Sequence, residues 1–167
     1  DASIEYLFRT MLARSIIADK NEIAAAGVRI VAPGIYFLTN RIIDDAYLAK
    51  LREALEQAPL HLRPAIAEIE QLRQLIPGVP MAGISDSVFH ATLPFQARLY
   101  NLPEDMASKY GIYRFGYHGI SVQSVLAKIK IAMGAIPPRT IICHLGSGSS
   151  IHAVKDGSSF DTTMGFT

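Results

Sequence analysis

GVRIVAPG, residues 27–34, is the stretch on which the fold turns. It is a short apolar run ended by Pro33 and Gly34, which reads as a buried strand. Upstream, Ile4, Leu7, Phe8, Met11, Leu12 and Ile16 recur at helical spacing and predict an amphipathic helix over residues 4–17. Downstream, a second helix is expected from Asp44 or Asp45 through Leu48, Leu51 and Leu55, with a stop near Ala58-Pro59. A third, interrupted at its start by Pro64, carries Ile66, Ile69, Leu72 and Leu75, and MAGISDS (residues 81–87) follows as a short strand running into a polar turn. Helix, strand, two helices and strand is an α/β order.

Beyond Val88 the texture changes. Residues 89–121 hold aromatic residues, Pro and Gly at loop-like spacing, and residues 121–133 (SVQSVLAKIKIAM) predict one amphipathic helix. The rest alternates strand and turn: TIICHL, GSGS, SIHAV, a hairpin turn at Lys155-Asp156-Gly157-Ser158, then SFDTTMGF. A lobe boundary is expected near residues 86–92, dividing the chain into 1–88 and 89–167.

Composition narrows the function. Of 167 residues 50% are hydrophobic and 19% charged, enough for a packed core. With 16 Lys and Arg against 15 Asp and Glu, there is no electrostatic case for a nucleic-acid or anionic-membrane partner, while a small anionic ligand stays open. The single cysteine, Cys143, excludes an intramolecular disulfide framework and a Cys-rich zinc site and suits a reducing, cytoplasmic setting. No signal peptide is visible, and charges break every apolar run short of the ~18 residues a membrane span needs. Residue 1 is Asp and the chain closes on FDTTMGFT without a charged tail, which reads as a piece of a longer protein.

Four constellations can carry chemistry. CHLGSGSS, residues 143–150, places a Gly/Ser turn between two strands, where backbone N–H groups and hydroxyls can converge on phosphate oxygens. It lacks the Gly-Lys-Ser/Thr and following helix of a P-loop, and a plain tight hairpin fits the same residues equally well. Asp86 stands at the exit of the MAGIS strand, with His90 four residues on; it can hold Mg²⁺ or accept a proton. An Asp capping the following turn is the simpler account of those residues. His118 is flanked by Gly116 and Gly119 in FGYHGIS, so its imidazole can approach a ligand or serve as hydrogen-bonded structure. Arg29 in VRIV, taken with His61 in APLHL, is costly inside an apolar strand unless an anion meets it, either a buried carboxylate or a ligand.

In order along the chain these segments resemble the acetate kinase family of acyl-phosphate-forming kinases. VRIVAPG resembles HRVVHGG, APLHL resembles APLHN, and SDSVFHATLP resembles FDTAFHQTMP. YGIYRFGYHGIS is similar to YGIRRYGFHGTS, CHLGSGSSIHAVKDG to CHLGNGASIAAVKNG, and DTTMGFT matches throughout except for a Ser-to-Thr change. The resemblance covers nearly the whole chain from about Ala26 onward. It implies the two-lobed sugar-kinase/actin architecture, each lobe on a ribonuclease-H-like sheet with the active site in the cleft, here as an incomplete fragment of both lobes. Residues 1–88 would be a partial N-terminal lobe and 89–167 the first part of the C-terminal lobe.

The implied reaction is transfer of the γ-phosphoryl group of ATP to acetate or a short homologue such as propionate, with Mg²⁺, in a cytoplasmic homodimer. By resemblance Arg29 meets the acyl carboxylate or the transferring phosphoryl group, His61 is a second substrate-side histidine, His118 stabilises the transition state and Asp86 is the catalytic acidic residue near Mg²⁺. Val31, Leu60 and Tyr117 would line the apolar acyl pocket, and His144, Leu145, Gly146, Ser147 and Gly148 would hold the nucleotide phosphates. The chain departs from the motifs at Ala32-Pro33-Gly34 for HGG, at APLHLR for APLHNP, at Ser147 for Asn, and at Ile120-Ser121-Val122 for Thr-Ser-His. A degenerate, non-catalytic relative is the alternative those losses leave open. The family's Asn-Ala-Gly-Ser-Ser turn falls upstream of residue 1; its second arginine, adenosine pocket and Mg²⁺-binding Glu fall beyond Thr167. Residues 1–167 alone are therefore expected to be inactive.

Overall fold

The strand expected at residues 27–34 forms but stops at Ile30. A computed structural model describes residues 2–166, so Thr167, the last residue of the DTTMGFT match, lies outside the described residues. The chain divides into two units, Asp1–Ile30 with Arg41–Ile84, and Val31–Asn40 with Ser85–Thr167. What looks like the second half of one apolar strand is the start of an excursion from the first unit into the second.

The first unit holds helices α1 (Ala2–Ala13), α2 (Asp45–Glu53) and α3 (Pro59–Leu75) and strands β1 (Ala26–Ile30), β2 (Arg41–Ile42) and β3 (Met81–Ser85). The sheet order is β1-β3-β2, with β2 antiparallel to β3. In β1 Val28 and Ile30 are buried while Gly27 and Arg29 face outward, so only one face of the strand is covered. Arg29 is exposed there, and the cost of burying its charge, expected from the apolar run, does not arise.

Asp44 caps α2 by accepting from the Tyr47 amide at 2.7 Å, an arrangement worth about 1 kcal/mol. Pro59 opens α3 at a position where a missing N–H costs nothing. Pro64 does not interrupt that helix: the carbonyl it deprives belongs to Leu60, 87% exposed, where water can take the bond. Leu51 of α2 and Leu62 and Ile69 of α3 are fully buried, and Arg73 pins the helices together through Asp45 at 2.7 Å and the Ile43 carbonyl at 3.2 Å.

The second unit is built on an antiparallel meander, β4 (Arg139–Leu145), β5 (Ser149–Lys155) and β6 (Ser158–Thr162). Helix α6 (Gly119–Met133) packs on it, and Phe89, Val122, Leu126, Ile142 and Val154 form the core between them. The segment read as loop-like contains a 3-10 turn (Val88–Thr92) and two short helices, α4 (Phe95–Arg98) and α5 (Glu104–Tyr110). Pro103 immediately precedes α5, and Gly111, in the left-handed conformation at φ 63°, ends it. At such lengths apolar periodicity has no room to show. Among the described residues no helix is long and apolar enough to cross a membrane.

Candidate active site

The site in the second unit grows from the start of α6. His118, the residue before the helix, holds a left-handed conformation (φ 59°, ψ 18°) that a side chain with a Cβ adopts at a cost of about 1–2 kcal/mol. The buried carboxylate of Asp86 offsets that cost: Oδ2 accepts from the His118 amide at 2.9 Å and Oδ1 from the Ile120 amide at 3.4 Å. The Asp86 carbonyl takes the Gly119 amide at 2.8 Å. Asp86 therefore caps a helix whose first residues lie 32 or more positions downstream. A carboxylate at a helix N-terminus also meets the positive end of the helix dipole. Gly116 must lack a side chain, because a Cβ there would lie 2.7 Å from the His90 ring at a φ of 68°.

Each imidazole near α6 is tied at Nδ1 to a serine. His118 Nδ1 lies 2.8 Å from Ser150 Oγ, and His144 Nδ1 lies 2.9 Å from Ser121 Oγ. The two rings stack with centroids 4.0 Å apart and planes 19° apart. Their Nε2 atoms face the turn between β4 and β5: a Cβ on Gly148 would sit 3.3 Å from His118 Nε2, and one on Gly146 3.4 Å from His144 Nε2. The turn is a tight hairpin in which Leu145 pairs with Ser149 and the Gly146 amide donates to the Gly148 carbonyl at 3.2 Å, with Ser147 exposed at the tip.

Behind the rings is a buried polar layer. Strand alternation turns Ser150, His152 and Val154 of β5 inward. Ser150 Oγ lies 2.6 Å from His152 Nε2, and His152 stacks on His90 with centroids 5.1 Å apart. His90 Nε2 donates to the Tyr117 carbonyl at 3.0 Å, which fixes the tautomer and makes Nδ1 the acceptor of the Ser159 hydroxyl at 2.8 Å. Arg98 closes the layer by donating to the carbonyls of His90, Ala91 and Leu93. Burial pushes His152 down from the usual histidine value of 6.5 to about 4, with His90, His118 and His144 acting in the same direction and Asp86 against them. Burial also lowers His90.

These shifts fix a pH dependence. The unfolded chain takes up protons near 6.5 and the folded histidines do not, so their contribution to stability is complete above pH 6.5 and declines as pH falls toward about 4. The urea midpoint is expected to drop through that window, and less steeply in His152→Ala. Equal slopes for the two proteins would contradict the assignment.

Of the other residues singled out in the sequence, Val31 and Tyr117 join one apolar cluster of the second unit with Leu38 and Phe115. Burial raises Tyr117 above its usual value, and its hydroxyl donates to the Phe166 carbonyl at 2.6 Å. Arg29, His61 and Leu60 belong to the first unit, all exposed, with His61 and Leu60 in the first turn of α3. Sequence reasoning missed Ser121, Ser150 and His152 as site residues; the alternation in SIHAV carries the signal for the last two. Among the described residues no group of three or more His, Cys, Asp or Glu is placed to hold a metal ion. Both Asp86 oxygens already accept amide hydrogens. Each oxygen keeps a second lone pair, so Asp86 is a single carboxylate that would hold Mg²⁺ only together with substrate phosphates.

Known proteins resemble this chain in sequence and fold. The chain is 45% identical over 154 residues to an acetate kinase of Thermoanaerobacter pseudethanolicus, covering 91% of the chain and 38% of that relative. The crystal structure of Porphyromonas gingivalis acetate kinase superposes with a TM-score of 0.87 at 32% identity, over 99% of this chain and 43% of that one. A propionate kinase from Francisella tularensis gives the same TM-score of 0.87 at 32% identity, over 98% of this chain and 42% of its own. The fold is thus the α/β, actin-like fold of the solved acetate and propionate kinases, and the chain spans about two fifths of their length. The profile of the acetokinase family matches residues 1–167, and the chain belongs to that family of carboxylate kinases.

Proposed function

We propose that the full-length protein transfers the γ-phosphoryl group of ATP to the carboxylate of acetate or a short homologue, giving an acyl phosphate and ADP. The observation that carries this reading is the pair of stacked imidazoles, each anchored at Nδ1 by a serine and each turning Nε2 toward the Gly146–Gly148 turn. Two ring edges converging on a glycine turn suit phosphate oxygens, and the match to acetate and propionate kinases supplies the acceptor class.

In the step proposed, a carboxylate oxygen attacks the γ-phosphorus in line, the bond to the bridging oxygen breaks, and ADP leaves with the electron pair. The protein supplies placement and charge neutralisation. His118 donates from Nε2 to a phosphoryl oxygen over the turn, and residues 144–148 hold the nucleotide phosphates. Asp86 fixes the His118 backbone. Arg29, with His61, takes the acyl carboxylate, and Val31, Leu60 and Tyr117 form the apolar acyl contact. The division at 88/89 and the inactivity of residues 1–167 alone belong to the same reading. One methylene more or less in such a pocket is worth about 1–3 kcal/mol, so acetate and propionate should both turn over at measurable rates.

The test is a hydroxamate trap with ATP, Mg²⁺ and each C2 to C4 acid in turn. Acyl hydroxamate is expected, and none from any of the acids would overturn the reading in favour of a non-catalytic relative. Arg29→Ala is expected to raise KM for the acid and lower kcat together, because the guanidinium meets the carboxylate before and during transfer. An unchanged KM would remove Arg29 from the substrate site.

A further inference from the structure

We propose that His152, acting through Ser150, fixes His118 as the tautomer that carries its proton on Nε2, and is thereby a positioning residue for phosphoryl transfer. This rests on reading His118 as the donor to the phosphoryl group. Ser150 Oγ stands between two imidazole nitrogens, His118 Nδ1 at 2.8 Å and His152 Nε2 at 2.6 Å. A hydroxyl has one proton to give. With both rings neutral, both nitrogens donating to Oγ would leave the buried Ser150 hydroxyl proton without an acceptor among the described residues, so two arrangements remain that satisfy both bonds and the hydroxyl. In one, His152 Nε2–H donates to Ser150, Ser150 donates to His118 Nδ1, and the His118 proton sits on Nε2. In the other every bond is reversed, and His118 presents a bare Nε2 to the turn.

The far end of the chain of bonds decides between them. His152 is fully buried, and among the described residues its Nδ1 has no hydrogen-bond partner. In the reversed arrangement that nitrogen would carry a proton with nothing to accept it, and orphaned buried N–H groups are rarer than under-satisfied acceptors. The neighbouring His90 offers no acceptor: its ring is stacked on His152, its Nε2 donates to the Tyr117 carbonyl and its Nδ1 takes the Ser159 hydroxyl. His152 therefore keeps its proton on Nε2, and the direction of both hydrogen bonds follows. The Nε2–H of His118 then faces the Gly148 end of the turn, where a donor serves a phosphoryl oxygen and a lone pair would repel it.

The test combines a spectroscopic and a kinetic readout on the full-length protein. With ¹⁵N-labelled histidine, ring shifts at neutral pH are expected to show His118 protonated at Nε2. Protonation at Nδ1 would overturn the proposal whatever the variants do. His152→Ala is expected to raise the Nδ1–H population of His118 and to lower kcat about five- to tenfold, the effect of one misdirected hydrogen bond, with KM within twofold. His152→Gln, which fills the space and still reaches Ser150 with an amide N–H, should recover part of kcat and covers the case in which the Ala variant fails to fold.

In a His118→Ala background the further change His152→Ala is expected to alter kcat by less than twofold, because His152 acts only through His118. Independent, multiplying losses would overturn the proposal. A His118→Ala protein with normal kcat would instead defeat the reading of His118 as donor, and the nitrogen shifts would still decide the arrangement of His152.

Discussion

His118→Ala in the full-length protein is expected to lower kcat by roughly two to three decades with little change in KM for the acid, the usual cost of losing one preorganised donor to developing charge. The size follows from the preparation of that donor. Its backbone is held by Asp86, its ring plane by the stack on His144 and its Nδ1 by Ser150, so no reorganisation is left for the moment of transfer. The competing account is that His118 braces the glycine-flanked loop before α6. That account predicts a lower melting temperature and a normal kcat in the folded fraction. Measuring both on one preparation separates them, and a destabilised, fully active variant would refute the donor role.

Asp86→Ala is expected to cost both stability and turnover, about 2–4 kcal/mol in unfolding free energy from leaving the His118 and Ile120 amides without their buried carboxylate. Turnover falls with it, because the strained His118 backbone loses the bond that holds it. Asp86→Asn should fall between wild type and Ala, since its amide oxygen can accept from one N–H while its NH₂ faces the other. A role confined to binding Mg²⁺ makes the opposite prediction, a melting temperature near wild type with activity restored at high Mg²⁺. Thermal unfolding and a Mg²⁺ titration of both variants distinguish the two, and an unchanged melting temperature in Asp86→Ala would end the capping assignment.

Asp86 and His118 were both legible as unusual residues, one at a strand exit and one between glycines. Their bond was not, because a carboxylate reaching an amide 32 residues away leaves no periodic trace. The hairpins around Gly146–Gly148 and Asp156-Gly157 could be read from turn chemistry, which is local. The expected burial of Arg29 failed for a definite reason: an unbroken apolar run suggests burial on both faces, whereas β1 buries only alternate residues. Ser150 and His152 escaped because polar residues in a strand suggest an outward face. The inward direction is set by Val154 two residues on, in register with them. The helices α4 and α5, four and seven residues long, carry too few turns to show a face.

The excursion of residues 31–40 has a consequence for synthesis. Leu38 belongs to a cluster with Phe115 and Tyr117, while the segments on either side of it, ending at Ile30 and resuming at Arg41, belong to the first unit. A ribosome adds about 5–20 residues each second, so Leu38 waits several seconds for Phe115 to be made. During that time the first unit can gather its sheet and helices around a ten-residue loop in which Leu38 still lacks Phe115 and Tyr117. The nascent chain thus carries Leu38 without its cluster partners until the second unit is translated.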